Sequence, residues 1–408
     1  MKKIAVIALS YGWLPGEGGT TRFSFLAELL SQKGYDVTLI SSSFYHVKKK
    51  KRDLEELRKG NYPYRLFFLE EPGYPKNVSL KRIYSHHVAA KNLQIHLETS
   101  NYDLIYCAIP PNNIGKVAGQ YAKKNGIPFV VDIEDLWPEG WKIVLGEHKI
   151  FDLLCYSIKR DAEITYRCAD GVVGTSKEYT DRIYKNLPDK RGKIPSETVY
   201  VSIDIDEFDK GVWKFQDEIE KKEGEFWVTY AGTLGASYDI GTLIAAAQNL
   251  YKKNFNEIKI LILGTGPMKE KWEKQAALYP CNVTFYGFVP YPKMAAILSK
   301  SDVLINSYIK SAVQSIVTKI GDYLAAGKPM INTCSSIEFR TKVESDKFGI
   351  NIEAEVPDEL EKAIIYFYNE ETIAQEMGKK ARVVAEKEFS RKESYVKIVH
   401  MIERLLNK

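Results

Sequence analysis

The chain has no apolar run approaching the ~20 residues that cross a membrane as a helix. Its opening, MKKIAVIALS, resembles a leader but lacks a small-residue cleavage site and runs directly into Tyr11, Gly12 and Trp13. It reads as a first buried strand. Cysteine is sparse: positions 107, 155, 168, 281 and 334 are scattered and form no CxxC. That excludes a disulfide framework and suits reduced thiols in a cytosolic protein. The six histidines show no metal-ligand spacing; His86 and His87 sit in a helical stretch and read as solvated or packing residues. Asp204-Ile205-Asp206 falls at a junction between halves rather than in a loop suited to a metal. No metal and no cofactor are expected. GxGxxG is absent too. The first glycine turn holds Gly16, Gly18 and Gly19, and the next strand ends LISSS with no acidic residue to grip an adenosine ribose. That argues against nicotinamide or flavin chemistry.

Charge is modest overall but uneven. The net is +5, yet residues 1–130 carry 19 Lys/Arg against 10 Asp/Glu. Lys48 to Arg52 is the densest patch. It is either a solvated face or an attraction for an anionic membrane surface or a phosphate-bearing substrate. It lacks the aromatic interleaving of a single-strand groove, and no nucleic-acid motif accompanies it, so no nucleic-acid partner is expected.

Short β-branched runs alternate with longer amphipathic segments. In the first half the runs are 3–9, 36–41, 64–69, 103–109, 128–133 and 171–176; after residue 210 they recur at 226–232, 258–264, 282–287, 302–307 and 329–334. Near-continuous apolar strands separated by helices indicate parallel sheets covered on both faces. The expected fold is α/β, with two doubly wound, Rossmann-like parallel-sheet domains facing each other across a cleft. Residues 1–205 form the first domain, the polar stretch 206–225 a linker, 226–389 the second domain, and 390–408 a last helix that crosses back.

Each half opens with strand, glycine turn, helix: PGEGGTTRFSFLAELL in the first and YAGTLGASYDIGTL in the second. LGTGP (263–267) and YGFVP (286–290) add two further turns. In QSIVTKIGDYLAAGKP (314–329), Ile316, Ile320, Tyr323 and Leu324 make a buried stripe, and Gly327 and Pro329 make the stop. Thr318, Lys319 and Asp322 crowd its start. The plain reading is a capped, solvated first turn. The alternative is a phosphate seat with a carboxylate set for a sugar hydroxyl.

The ordered set GTLG, LGTGP, VTFYGFVPYPKMAAILSKSDVLINS and DYLAAGKPMINT resembles the donor domain of glycosyltransferases of family 4, retaining enzymes of the GT-B architecture. The first half agrees, and VVDIEDLWPEG (130–140) resembles the DLWPE stretch of a bacterial subgroup that builds surface polysaccharides. The likeness covers nearly the whole chain. It implies transfer of a sugar from a nucleotide diphosphate sugar, a UDP-sugar above all, to a hydroxyl of a lipid-linked or polysaccharide acceptor, with retention and without metal. It also implies a cytoplasmic enzyme, peripheral at the inner face of the membrane through its basic first domain.

The resemblance distributes roles. Asp322 takes the place of the family's second acidic residue and would accept from the ribose hydroxyls; the first acidic position falls on Gln314. Lys319 would offset diphosphate charge, with the N–H groups of Lys319 and Ile320 beside it. Gly18, Gly19, Gly232, Thr233, Gly264, Phe288, Val289 and Thr318 belong to the donor-binding set. Many relatives carry an Arg and a Lys after the GTLG-like turn. Here Ser237, Tyr238 and Asp239 stand there, and Arg22 and Lys310 are the candidates to compensate. Asp135 sits where relatives face the donor sugar with a histidine, in an acidic rim with Asp132, Glu134 and Glu139; it either meets the acceptor or caps its own segment. Gln314 and the missing basic pair leave two rivals: a catalytically impaired partner or binding subunit, and a nucleotide-sugar epimerase on the same fold.

Overall fold

Apolar residues occupy nearly every position of the first strand because both of its faces are covered. Ile4 and Val6 pack with Leu26, Leu30, Ile398 and Ile402 on one side; Ala5 and Ile7 pack with Ala89, Leu93, Ile114 and Ala118 on the other. A computed structural model describes residues 1–9, 14, 17, 21–139, 153, 155–312 and 316–407. Its chain divides into two compact units, Met1–Tyr200 with Tyr395–Lys408, and Val201–Ser394.

The first unit holds β1 (Lys3–Ile7), β2 (Asp36–Ser42), a small hairpin of β3 (Phe44–Tyr45) and β4 (Lys50–Lys51), β5 (Arg65–Leu69), β6 (Leu104–Ile109), β7 (Phe129–Ile133), β8 (Gly171–Gly174) and β9 (Ser196–Thr198). Seven of these form one sheet in the order β5-β2-β1-β6-β7-β8-β9, and each neighbouring pair is parallel. The second unit holds β10 (Phe226–Ala231), β11 (Ile258–Leu263), β12 (Val283–Gly287), β13 (Val303–Asn306), β14 (Met330–Asn332) and β15 (Gly349–Asn351). Their order is β12-β11-β10-β13-β14-β15, again parallel throughout. The chain reverses its direction of travel across the sheet between β1 and β6, and again between β10 and β13. Such switch points leave a crevice at the strands' C-terminal ends.

The expected linker at 206–225 is corrected. Ile205–Phe215 is a helix of the second unit, capped by Asp204, whose carboxylate accepts from the Glu207 N–H. Phe208 is fully buried, and a Cβ on Gly211 would lie 2.7 Å from Pro292 Cα. Asp206 and Glu207 made the stretch look like polar linker, but acidic residues suit a helix's first turn. At the other end, residues 390–408 divide: helix Arg391–Ser394 lies in the second unit, and helix Val396–Leu406 belongs to the first. Among the described residues, no helix is long and apolar enough to cross a membrane.

The basic run 48–52 is partly consumed by the first unit itself. Lys50 and Lys51 form β4, and Lys51 Nζ donates to Glu70 at 3.0 Å. Arg52 is buried against Glu17 and the carbonyls of Ser42 and Phe44.

Candidate functional site

The helix expected from residue 314 is short and begins later, at Lys319–Ala325. Its stripe is as spaced: Ile320, Tyr323 and Leu324 are fully buried, and Gly327 closes it at φ +66°. Ile320 N–H already donates to Val317 O at 3.0 Å, in a tight first turn. That N–H is thus not free for a phosphate in this conformation, contrary to the expectation from sequence. Thr318 is exposed and its side chain caps nothing. Gln314, with Gly18 and Gly19, lies outside the described residues.

Three of the named residues, Gly232, Gly264 and Lys319, meet at the switch point of the second sheet, and Asp322 lies on the same helix as Lys319. Gly232 follows β10 and Gly264 follows β11. A Cβ on Gly264, where φ is +140°, would fall 1.8 Å from Gly232 O, so the two turns touch backbone to backbone. A Cβ on Gly232 would lie 3.7 Å from Lys319 Cδ. Tyr323 fastens the helix to the same turn: its hydroxyl accepts from Ala231 N at 2.7 Å and lies 3.1 Å from Ala231 O. Asp322 is buried one turn into the helix, where the Tyr291 hydroxyl donates to its Oδ1 at 2.9 Å. Burial pushes the Asp322 carboxyl up to about 7, against the opposing effects of the Tyr291 hydrogen bond and the Arg391 charge. Replacing Gly264 with alanine is expected to cost about 2–3 kcal/mol of stability, because backbone must move to admit the methyl. The urea midpoint of the second unit reads it.

Lys319 has an unusual seat. Its Nζ is buried and, among the described residues, has no hydrogen-bond partner. It lies 4.6 Å from the ring centroid of Tyr230, 4.7 Å from Tyr238, 4.9 Å from Tyr308 and 6.0 Å from Tyr323. Burial lowers its pKa to about 7. These tyrosines were not singled out from the sequence, nor was Tyr291. Tyr230 reads there as one more strand residue. Tyr238 carried the available signal, since it lies in the stretch Ser237–Asp239 where the resemblance leads us to expect basic residues.

The remaining named residues are less central. Thr233 is exposed and its carbonyl accepts from Tyr230 Oη at 2.9 Å. Phe288 is 77% exposed and, with Val289, leaves β12 just past Gly287, whose carbonyl accepts from Gly264 N–H at 2.7 Å. Lys310 is exposed on the turn after β13; the Ile309 N–H beside it donates to Ser237 O at 3.2 Å. Asp239, in the place of the missing base, caps helix Ile240–Lys252 through the Thr242 N–H and also accepts from Glu355 N–H.

Arg22 does not join this group. It is buried in the first unit, with Nε 2.8 Å from Asp132 Oδ2 and 3.0 Å from Glu134 Oε1, and Nη1 donates to Val199 O at 2.8 Å. The Tyr395 ring covers it at 5.3 Å. Burial alone would lower its pKa; Asp132 and Glu134 more than offset that and hold it raised. Burial, then Asp132, drives the Glu134 carboxyl well above the usual carboxylate range. Arg22 is thus a structural cation rather than a phosphate ligand. The acidic rim is corrected with it, because Asp132 and Glu134 both sit against Arg22 while Glu139 pairs with Arg182. Both oxygens of Asp135 serve its own segment, accepting from Leu136 N–H at 2.8 Å and Trp137 Nε1 at 3.0 Å. Among the described residues no cluster of three or more His, Cys, Asp or Glu is placed to hold a metal ion.

Residues 212–384 match the family model for glycosyl transferases group 1. An uncharacterized glycosyltransferase of Methanocaldococcus jannaschii, MJ1069, is 24% identical over 251 residues, or 61% of this chain. The chain spans 62% of the length of that curated relative. Anabaena Alr3699/HepE, crystallised in complex with UDP, superposes with a TM-score of 0.68 at 16% identity over 99% of this chain and 100% of that one. Sucrose-phosphate synthase from Thermosynechococcus elongatus gives 0.70 at 16% identity over 100% of both chains. Two parallel α/β domains in this order are the GT-B fold, and within it residues 212–384 are similar to the glycosyl transferases group 1 family.

Proposed function

We propose that the chain transfers a sugar from a nucleotide diphosphate sugar, in the first instance a UDP-sugar, to a hydroxyl of a lipid-linked or polysaccharide acceptor during surface-polysaccharide synthesis. The observation that carries this reading is Lys319 beside the Gly232 turn at the switch point of the second sheet, with a buried Asp322 three residues further along the same helix. Glycines there let a ligand approach the backbone closely. An ionised Asp322 offers two acceptor oxygens to a ribose diol. Lys319 offers the one buried amine near the turns among the described residues. HepE, similar over its whole length, was crystallised with UDP.

On this reading the protein's work is positioning and charge stabilisation as the nucleotide leaves. No side chain is assigned as nucleophile. The departing phosphate takes the acceptor's proton on the same face, which retains the anomeric configuration, and no metal is needed. Membrane contact at the inner face is part of the proposal. It is supported by the basic first unit and by Leu80, Ile83 and Tyr84, exposed on helix Leu80–Glu98 beside Lys81.

Thermal unfolding with and without UDP tests the donor assignment. At about 100 times its dissociation constant UDP is expected to add about 2.7 kcal/mol of stability. A panel of UDP-sugars giving neither binding nor slow hydrolysis would sink it. Binding without turnover toward any acceptor would favour a partner subunit, the reading suggested by Gln314 in place of an acidic residue.

A further inference from the structure

A buried amine with no acceptor is an unusual thing for a protein to keep. Among the described residues, Lys319 Nζ has neither a carboxylate nor a carbonyl within hydrogen-bond reach, although it can donate up to three hydrogen bonds. What surrounds it is aromatic, and the rings come from four places: Tyr230 on β10, Tyr238 on the following turn, Tyr308 after β13, and Tyr323 on its own helix. Ring faces attract a cation but supply no lone pair to its N–H groups. Two of the hydroxyls are turned to backbone: Tyr230 Oη donates to Thr233 O, and Tyr323 Oη bonds at Ala231.

Gly232 stands beside the lysine stem: a Cβ there would lie 3.7 Å from Lys319 Cδ and 3.1 Å from Tyr230 Oη, so the glycine keeps the stem close to the turn. Tyr238 occupies a place where a basic residue would supply permanent charge. The chain has instead one lysine, held away from solvent.

We propose that Lys319 is a stowed counter-charge. Its amine rests among the tyrosines, and a nucleotide diphosphate draws it out, Nζ taking one proton from solvent and pairing with the phosphate oxygens. The proton balance is simple: a neutral amine becomes an ammonium, and no covalent bond to the ligand forms. This rests on the donor-site reading above and adds to it that binding is coupled to proton uptake.

The groups facing the amine are consistent with this. Burial raises the phenols of Tyr230, Tyr238, Tyr308 and Tyr323 above their ordinary value, so all four stay neutral near pH 7. Cys334 faces it from beyond β14 with its thiol raised by burial and likewise neutral. Asp322, on the same helix, is the other group that titrates near neutrality. It acts with the opposite sign, because it must lose a proton to accept from ribose. UDP affinity is therefore expected to be greatest near pH 7 and to fall on both sides, through Asp322 below and Lys319 above.

The deciding experiment is calorimetric titration of the full chain with UDP at pH 8.5, in two buffers of different ionisation enthalpy. At that pH Asp322 and the free nucleotide's terminal phosphate are already ionised. The wild type is expected to take up close to one proton per UDP. Lys319→Met is expected to take up none and to bind at least tenfold more weakly. Lys319→Arg, whose charge is permanent, is expected to bind without uptake; circular dichroism verifies that each variant is folded. Equal uptake in the wild type and Lys319→Met, or undiminished affinity in Lys319→Met, would overturn the stowed lysine while leaving the donor site standing. Failure of the wild type to bind UDP anywhere between pH 6 and 8.5 would overturn the donor site and this inference with it.

Discussion

Asp322→Asn is expected to stabilise the second unit at pH 8 while weakening its hold on UDP by roughly 10- to 100-fold. Both effects come from one buried carboxyl. Folding lifts it from 3.8 to about 7, chiefly through burial. Below 3.8 the carboxyl is protonated in both states and contributes nothing. Between 3.8 and about 7 the folded state holds the proton that the unfolded state has lost, so stability falls as pH rises, and above 7 the full penalty remains. At about 1.4 kcal/mol per unit, that penalty is on the order of 4 kcal/mol. Asparagine keeps an acceptor for the Tyr291 hydroxyl and removes the charge. Its melting transition should therefore rise by about 5–10 °C at pH 8 and move little at pH 4. Binding goes the other way. Hydrogen bonds to a charged acceptor contribute about 1.5–3 kcal/mol, and the amide cannot replace them. A residue that harms stability yet strengthens binding is typical of a functional site. If Asp322→Asn bound UDP as well as wild type, the carboxylate would have no part in recognition.

Arg22→Met is expected to be the most destabilising single change considered, at about 3–5 kcal/mol, and to leave UDP binding by the folded protein unchanged. Removing one partner of a buried ion pair strands the others. Here it strands both Asp132 and Glu134 and opens the bonds to Val199 and Tyr200. Buried carboxylates left without their cation cost most when ionised, so the loss should be larger at pH 8 than at pH 5. The transition of the first unit, followed by differential scanning calorimetry at both pH values, reads the effect. A variant as stable as wild type but unable to bind UDP would restore Arg22 to the donor site.

These two residues show where the sequence was legible and where it was not. The apolar run of β1, covered on both faces, is written in consecutive residues, and so are the repeated strands of the second half. The helix that carries Asp322 was legible as well, because its buried stripe and its glycine stop lie in one local stretch. Arg22 was misleading for the opposite reason. An arginine on a helix's first turn after a glycine loop looks like a phosphate ligand, while Asp132 and Glu134 lie more than a hundred residues away and meet it only through the fold. The seat of Lys319 was hidden likewise, since its rings come from positions 230, 238, 308 and 323. Asp135 shows a milder version: of its two readings, the local cap is the one the geometry fits. The segment 206–225 was misread through composition, because a charged exposed face concealed the buried Phe208 and Gly211 that anchor its helix.

The most direct test is a crystal structure of the protein with UDP. The diphosphate is expected against the Gly232 turn within reach of Lys319 Nζ, drawn clear of the tyrosines, with the ribose hydroxyls on Asp322. A nucleotide bound elsewhere, or one bound there with Asp322 still engaged only with Tyr291, would contradict the account.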